Sequence, residues 1–241
     1  HMETCEIETK ILSRRKYYGK SNTVMDDICD AKYLPEYFRD YQMKDLSTFD
    51  IETCQGDILK PISIAVGSTF EDARYFERKS AAPSDYQTLI DEFMTYLLEL
   101  QTQIIVPYEI TEAIEKLTHV MTTKKFSPEQ SKIQTFIRHL KKYNLLNVYG
   151  FYSSKFDVQC LLAGIVNFGE IRGMKTSCLK KGAKYLTVQI GDVILKDTLN
   201  YSSPCTLAKF LEQWKAPEAK GIFPHGYFAS IEELRAQVAF P

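Results

Sequence analysis

The chain has 241 residues, of which 44% are hydrophobic and 25% charged, a balance typical of a folded globular protein. Its 30 Lys and Arg residues nearly match its 31 Asp and Glu residues, so any nucleic-acid site must be a local patch rather than a global charge. The six cysteines lack C-x-x-C pairing and zinc-site spacing, and neither a signal peptide nor an apolar run of about 18 residues is visible, which predicts an intracellular, reducing compartment without membrane insertion.

The N-terminal third of the chain predicts a lead-in segment followed by a β-hairpin. Residues 1–45, of which His1-Met2 resemble a cloning remnant, are polar and without clean periodicity, so we interpret them as peripheral. Residues 46–241 form the remaining predicted domain. Within it, strands at 46–53 and 61–67 are separated by a short turn segment and are expected to pair.

Further helix and strand signals follow in chain order. They are a helix at 85–100, helices within 109–143, a central strand at 145–151, a helix beginning at 156–162, a hairpin within 171–199 that turns at Gly191-Asp192, and a helix at 206–214.

The first strand carries two acids, Asp50 and Glu52, two residues apart. Side chains alternate along a strand, so both carboxylates project from one face, where they repel each other. A hard divalent cation such as Mg²⁺ or Mn²⁺ relieves that repulsion, which suggests phosphodiester hydrolysis. The alternative interpretation is an exposed strand end with solvated acids.

Four sequence blocks occur together in an order typical of one family. They are Phe49-Asp50-Ile51-Glu52-Thr53, Val148-Tyr149-Gly150 through Ser153-Ser154-Lys155-Phe156-Asp157, Leu195-Lys196-Asp197-Thr198-Leu199, and Lys220-Gly221-Ile222-Phe223-Pro224-His225. With these blocks the chain resembles the 3′ to 5′ exonuclease domain of protein-primed family B DNA polymerases, found in phages, linear plasmids and Polinton-like mobile elements. The resemblance covers residues 46–241.

The resemblance implies an α/β fold of the ribonuclease-H-like (DnaQ-type) kind, in which helices flank a mixed sheet with clustered acids. It also implies that water attacks the terminal phosphodiester at a single-stranded 3′ end with the help of two Mg²⁺ or Mn²⁺ ions. Asp50 and Glu52 match the first exonuclease motif and Asp157 the second, so these three are the expected catalytic metal ligands.

The same resemblance implies contacts with the single-stranded 3′ end. Thr53, Phe156, Thr198 and Leu199 match family positions that touch this strand, and we add the neighbouring Lys155 to the expected nucleic-acid contacts. An aromatic ring such as Phe156 can stack on a base or wedge against it. Plain core packing is the alternative for this side chain.

Two departures from the family pattern bear on activity. Phe151 and Tyr152 stand where the second motif usually has His-Asn, so the Asn amide that holds substrate is missing. The third motif, Y-x-x-x-D, supplies a fourth acid and a water-orienting tyrosine, but the chain has this pattern only at Tyr41 to Asp45, ahead of the first motif. The third motif is therefore expected beyond Pro241 or has been lost.

Two functions stay open at this point. One is an active exonuclease, with a polymerase module as a further partner. The other is a catalytically degenerate fold that binds nucleic acid or a protein. Asp197 is expected to form hydrogen bonds at a strand end, His225 to make a structural loop contact, and Trp214 to lie in the core. A possible phosphate-binding strip consists of Lys155, Lys175, Lys180, Lys181 and Lys184, although the run at 180–184 is also typical of a solvated turn.

Overall fold

The computed structural model describes residues 46–54, 60–104, 106, 108–123, 133–134, 137–138, 140–216 and 230–236. The chain divides into two compact units, one formed by residues 1–45 and 105–144 and the other by residues 46–104 and 145–241. None of the helices in the described ranges is long and apolar enough to cross a membrane. The predicted lead-in, the Tyr41 to Asp45 match and the Phe-Pro-His block lie outside the described residues.

The second unit is built on a seven-stranded mixed sheet in the order β3-β2-β1-β4-β7-β6-β5. The strands are β1 (Leu46–Glu52), β2 (Ser63–Ser68), β3 (Arg74–Glu77), β4 (Leu146–Gly150), β5 (Thr176–Lys181), β6 (Lys184–Ile190) and β7 (Val193–Asp197). Helices of the same unit are α1 (Pro83–Thr102), α3 (Asp157–Ile171), α4 (Leu207–Gln213) and α5 (Ile231–Ala236), and the first unit contributes α2 (Tyr108–Thr123). The predicted α/β class, with helices flanking a mixed sheet, is confirmed.

Strand β1 has one covered and one open face because its apolar residues alternate with polar ones. Phe49 and Ile51 are buried on the helix-covered side, where the Phe49 ring lies 6.1 Å from the ring of Phe93 in α1. Asp50 is exposed and Glu52 half-buried on the other side. The predicted hairpin is confirmed, since β1 pairs antiparallel with β2.

Helices α1 and α3 pack closely at Gly164. A Cβ atom at Gly164 would lie 2.7 Å from Cγ1 of Ile90, so only glycine permits this approach. Two side chains of α1 also bind the backbone of α3: the Tyr86 hydroxyl donates to the Cys160 carbonyl at 2.7 Å and Gln87 Nε2 donates to the Gly164 carbonyl at 3.2 Å. These contacts fix the first half of α3 against α1.

The predicted helices at 85–100 and 206–214, the central strand and the hairpin that turns at Gly191-Asp192 are all confirmed. Two strands, β3 and β5, have no counterpart in the sequence prediction. β3 has four residues with one buried side chain, and β5 is an edge strand with five exposed residues, so neither shows the alternation that marks a half-buried strand.

The described part of the first unit has its own apolar cluster. Leu117 in α2 is fully buried there, together with Ile110, Ile133, Ile137, Leu140 and Tyr143. A 3₁₀ turn at Lys141–Asn144 follows and leads back into the sheet unit at β4.

Candidate acidic active site

Four carboxylates converge at one edge of the sheet. Strands β1, β4 and β7 run parallel, so their carboxyl ends meet at the same edge. Asp50 and Glu52 lie in the last three residues of β1, and Asp197 is the last residue of β7. Asp157 is the first residue of α3, which follows β4. The fold thus brings the neighbouring acids Asp50 and Glu52 together with Asp157, which is distant in the chain, and adds Asp197 to them.

Asp157 carries the strongest electrostatic signature of this edge. Its side chain is buried, and that burial raises the pKa of the carboxyl from its ordinary value of 3.8 to about 7. The negative charges of Asp50, Asp197 and Glu52 raise the pKa in the same direction. A positively charged ligand at this position would therefore offset both the cost of keeping a buried carboxylate charged and its repulsion by the neighbouring acids.

Asp197 holds the loop that leads into α3. Its side chain is 2% exposed and accepts hydrogen bonds from the backbone N–H groups of Tyr152 (3.1 Å), Ser154 (3.0 Å) and Leu199 (2.9 Å). The expected hydrogen-bonding role at a strand end is confirmed. Because three donors converge on this carboxylate, Asp197 positions the loop between β4 and Asp157.

Tyr152 occupies the position where the second motif usually has Asn, and its backbone is strained there. Its φ of 62° lies in the left-handed region, which bulky side chains rarely adopt. The side chain is 46% exposed, and Lys155 Nζ donates to its hydroxyl at 2.9 Å while lying 4.9 Å from the ring centroid. The exposed pair of Tyr152 and Lys155 thus forms one surface of the loop.

The expected contacts with a nucleic-acid end lie around the same edge. Thr53 is buried directly after β1, and Phe156 is 38% exposed immediately before α3. Thr198 donates from Oγ1 to the Gly150 carbonyl at 3.0 Å, and Leu199 is half-buried in the same 3₁₀ turn. Thr198, which directly follows β7, therefore connects the ends of β4 and β7.

The lysines of the predicted phosphate-binding strip do not all lie together. Lys180, Lys181 and Lys184 are exposed at the turn of the β5–β6 hairpin. Since β6 runs antiparallel to β7, this turn extends past the edge that carries the acids. The Tyr185 N–H donates to the Ser154 carbonyl at 3.1 Å and ties the hairpin to the site loop. Lys175 lies at the opposite end of β5.

The donor chemistry of the edge suits a hard divalent cation, because carboxylate oxygens are the ligands that Mg²⁺ and Mn²⁺ prefer. Among the described residues, no three His, Cys, Asp or Glu side chains lie close enough together to hold an ion. The electrostatic coupling of Asp157 to its neighbours extends over longer distances than ligation does. The acids would need to move closer together when they bind a cation.

The interpretation of Trp214 as a core residue is wrong, since its side chain is 71% exposed. Its ring lies 6.0 Å from that of Phe210 on α4, which in turn lies 5.4 Å from the ring of Phe151. We call these three residues the ring row. The four-residue spacing between Phe210 and Trp214 on a short helix was the available sequence signal, because such residues share one helix face.

A cavity of about 260 Å³ lies at the ends of β2 and β3. Its lining includes Ser63, the partner of Glu52 in the β1–β2 ladder, together with Glu77, Arg78 and Arg235. Arg235 donates to the Arg78 carbonyl at 2.6 Å, and Arg78 donates to the Ala81 carbonyl at 2.6 Å. Arg235 thus attaches α5 to the end of β3, and Arg78 holds the segment that follows β3, so both have a structural role.

No protein-family model and no curated protein matches the chain.

Proposed function

We propose that the chain is a 3′ to 5′ exonuclease-type domain with a ribonuclease-H-like fold, acting on single-stranded DNA ends by two-metal phosphodiester hydrolysis, as in polymerase proofreading. The observation that carries the proposal is the convergence of Asp50, Glu52 and Asp157 at the carboxyl edge of parallel strands, with the pKa of Asp157 raised to about 7. Strongly perturbed carboxyl groups at a strand edge are typical of functional sites.

The roles of the residues follow from their positions. Asp50, Glu52 and Asp157 would hold Mg²⁺ or Mn²⁺, which when bound supplies positive charge for the attack of water on the phosphodiester. Asp157 must lose its proton to act as a ligand, so binding requires a pH near or above its raised pKa. Asp197 keeps the Asp157 loop in place through its three backbone hydrogen bonds.

Basic groups next to the edge support a polyanionic substrate. Lys155 projects from the site loop, and Lys180, Lys181 and Lys184 project from the hairpin turn beside it. Exposed lysines attract a phosphate backbone without sequence preference. Phe156, exposed beside Asp157, provides a ring on which the terminal base can stack.

One observation favours a second candidate, a catalytically degenerate fold that binds nucleic acid or a protein. The ring of Tyr152 and its partner Lys155 occupy the position where the family has a short Asn amide. A phenol ring takes more room than an amide and crowds the path of a substrate strand. Retention of three converging acids argues for the enzyme, because carboxylates gathered in this way cost folding free energy.

The test is degradation of 5′-labelled single-stranded DNA with Mg²⁺ or Mn²⁺, compared with the isosteric variants Asp50→Asn and Glu52→Gln. Asp72→Asn, an exposed acid outside the cluster, is the matched control. We expect laddering from the 3′ end that is abolished by either site variant and by a chelator, and retained by the control. A signal that survives both site variants would come from a contaminant and would contradict the proposal.

Mn²⁺ binding separates the two candidates if cleavage is absent. We expect affinity to rise about tenfold per pH unit up to about pH 7 and then to level off, because one proton leaves Asp157 on binding. Binding with this profile, without cleavage but with retained affinity for single-stranded DNA, would identify the degenerate module. Absence of both Mn²⁺ binding and cleavage would refute the metal-dependent enzyme.

A further inference from the structure

We propose that the ring row of Phe151, Phe210 and Trp214 is a stacking platform for the bases of a single-stranded nucleic acid whose 3′ end lies at the acids. The inference rests on the proposed function for the identity of the strand. It adds a second binding region to that site, in which Phe210 and Trp214 lie outside all four family blocks.

The row begins at the acidic edge. In the parallel ladder of β4 and β7, Gly150, the last residue of β4, pairs with Asp197, and Phe151 follows Gly150 directly. From Phe151 the rings of Phe210 and Trp214 follow at successive centroid distances of 5.4 and 6.0 Å. One end of the row therefore lies next to the acidic edge.

The outer end of the row is fixed in place. Trp214 is the C-cap of α4, and two further hydrogen bonds close the helix end: Lys215 N–H to the Glu212 carbonyl at 3.1 Å and Ala216 N–H to the Leu211 carbonyl at 2.9 Å. This pair is a Schellman motif, whose left-handed position is usually glycine. Here Lys215 occupies it with φ of 52°. The exposed Trp214 ring is thus held at a closed helix end.

Backbone strain marks both ends of the row. In the described part of the chain, Tyr152 and Lys215 are the non-glycine residues with positive φ. Each of them directly follows a terminal ring of the row, Phe151 and Trp214. Such conformations are unfavourable for residues with a Cβ atom, and they cluster at functional sites. The strain coincides with the positions that orient the two outer rings.

Charge favours a nucleic acid as the occupant. Lys209 and Lys215 flank the two rings of α4, against one acid, Glu212, on the same helix. Lys196 Nζ lies 5.6 Å from the ring centroid of Tyr149, beside the start of the row. Phe151 and Phe210 are half-buried and Trp214 is exposed. Accessible rings interspersed with lysines are the surface that single-stranded nucleic acid uses, with bases on the rings and phosphates on the cations.

Trp214 gives a direct readout, because it is the only tryptophan of the chain. The full chain is titrated with oligothymidylate in the presence of a chelator, so that no cleavage occurs. An abasic oligomer of equal length provides phosphates without bases. We expect saturable quenching of the Trp214 fluorescence by oligothymidylate and little by the abasic oligomer. Quenching by both to the same extent, or by neither, would overturn the proposal.

Variants test the energetic role of the rings. Phe210→Ala and Trp214→Ala should each weaken oligothymidylate binding about tenfold, as expected for loss of one stacked base. Tyr75→Ala is the matched control, since Tyr75 on β3 is also 71% exposed and lies outside the row. Unchanged affinity in Trp214→Ala, or an equal loss in Tyr75→Ala, would overturn the platform.

The outcomes separate this proposal from the proposed function. Base-dependent quenching without any cleavage supports the platform and counts against the enzyme. Cleavage with no change in Trp214 fluorescence supports the enzyme and overturns the platform. Quenching that depends on protein concentration alone, with dimers in analytical ultracentrifugation, would assign the ring row to self-association and overturn it too.

Discussion

Asp157 gives a quantitative prediction, because the fold opposes ionisation of its carboxyl. The carboxyl has an ordinary pKa of 3.8 and a pKa of about 7 in the folded chain. This difference corresponds to about 4 kcal/mol of folding free energy that is lost when the carboxyl ionises. A raised carboxyl pKa stabilises the fold below the ordinary value, and this stabilisation is lost as the pH rises through the folded value. In the variant Asp157→Asn the side chain cannot ionise, so this loss of stability at high pH does not occur. We expect the parent chain and the variant to have equal free energies of unfolding at about pH 4, and the variant to be more stable at about pH 8.

The assay is urea denaturation followed by circular dichroism at both pH values, with chelator present. Asp72→Asn makes the same charge change at an exposed position and should show a small difference that does not vary with pH. Added Mg²⁺ at the higher pH should stabilise the parent chain and leave Asp157→Asn unchanged, since the variant lacks the carboxylate. A stability difference that is flat between the two pH values, or of opposite sign, would refute the electrostatic reasoning.

Three further predictions concern the loop and its supports. Asp197→Asn should destabilise the fold by about 2–3 kcal/mol in urea denaturation, because one amide oxygen cannot replace a carboxylate that accepts three N–H bonds; an unchanged midpoint would contradict the positioning role. The variant Tyr152→Gly should have a free energy of unfolding about 1 kcal/mol higher than Tyr152→Ala in the same assay, because the φ of 62° at this position favours glycine. The reverse order would contradict the backbone strain. Gly150→Ala should lower the free energy of unfolding by about 1–3 kcal/mol, because the new Cβ would lie 2.5 Å from Ser153 Cβ. Adding Ser153→Gly to this variant should restore part of the lost stability. If the double variant is no more stable than Gly150→Ala, the clash is not the cause.

The sequence was sufficient to predict the elements that alternate or repeat clearly. The D-x-E strand, the helix after Pro83 and the hairpin at Gly191-Asp192 all have strong local patterns, and each is present in the structure. The edge strand β5 has none, because five of its six residues face solvent and select no side-chain type. Exposure at an edge therefore hides a strand from sequence analysis.

The candidate site, like the fold, could be predicted only in part from the sequence. The motifs pointed to Asp50, Glu52 and Asp157, and the parallel strands bring these residues to one edge. The pKa shift of Asp157 depends on burial and on charges distant in sequence, which a local pattern does not contain. A core position is predicted for Trp214 because large aromatic residues are usually well buried. This prediction fails because Trp214 caps a short helix whose end lies at the surface.

The pairing of β1 has a consequence for how the chain folds. Its partner β2 follows closely in the chain, but its partner β4 comes roughly 100 residues later, after the whole of α2 and its neighbours. Local hairpins form early, and parallel pairing over such a distance is slow because the loop must close first. We therefore expect the hairpin that carries Asp50 and Glu52 to form before Asp157 joins it. On this order of events, the mutual repulsion of the acids should act mainly on the rate of unfolding and leave the first folding events unopposed.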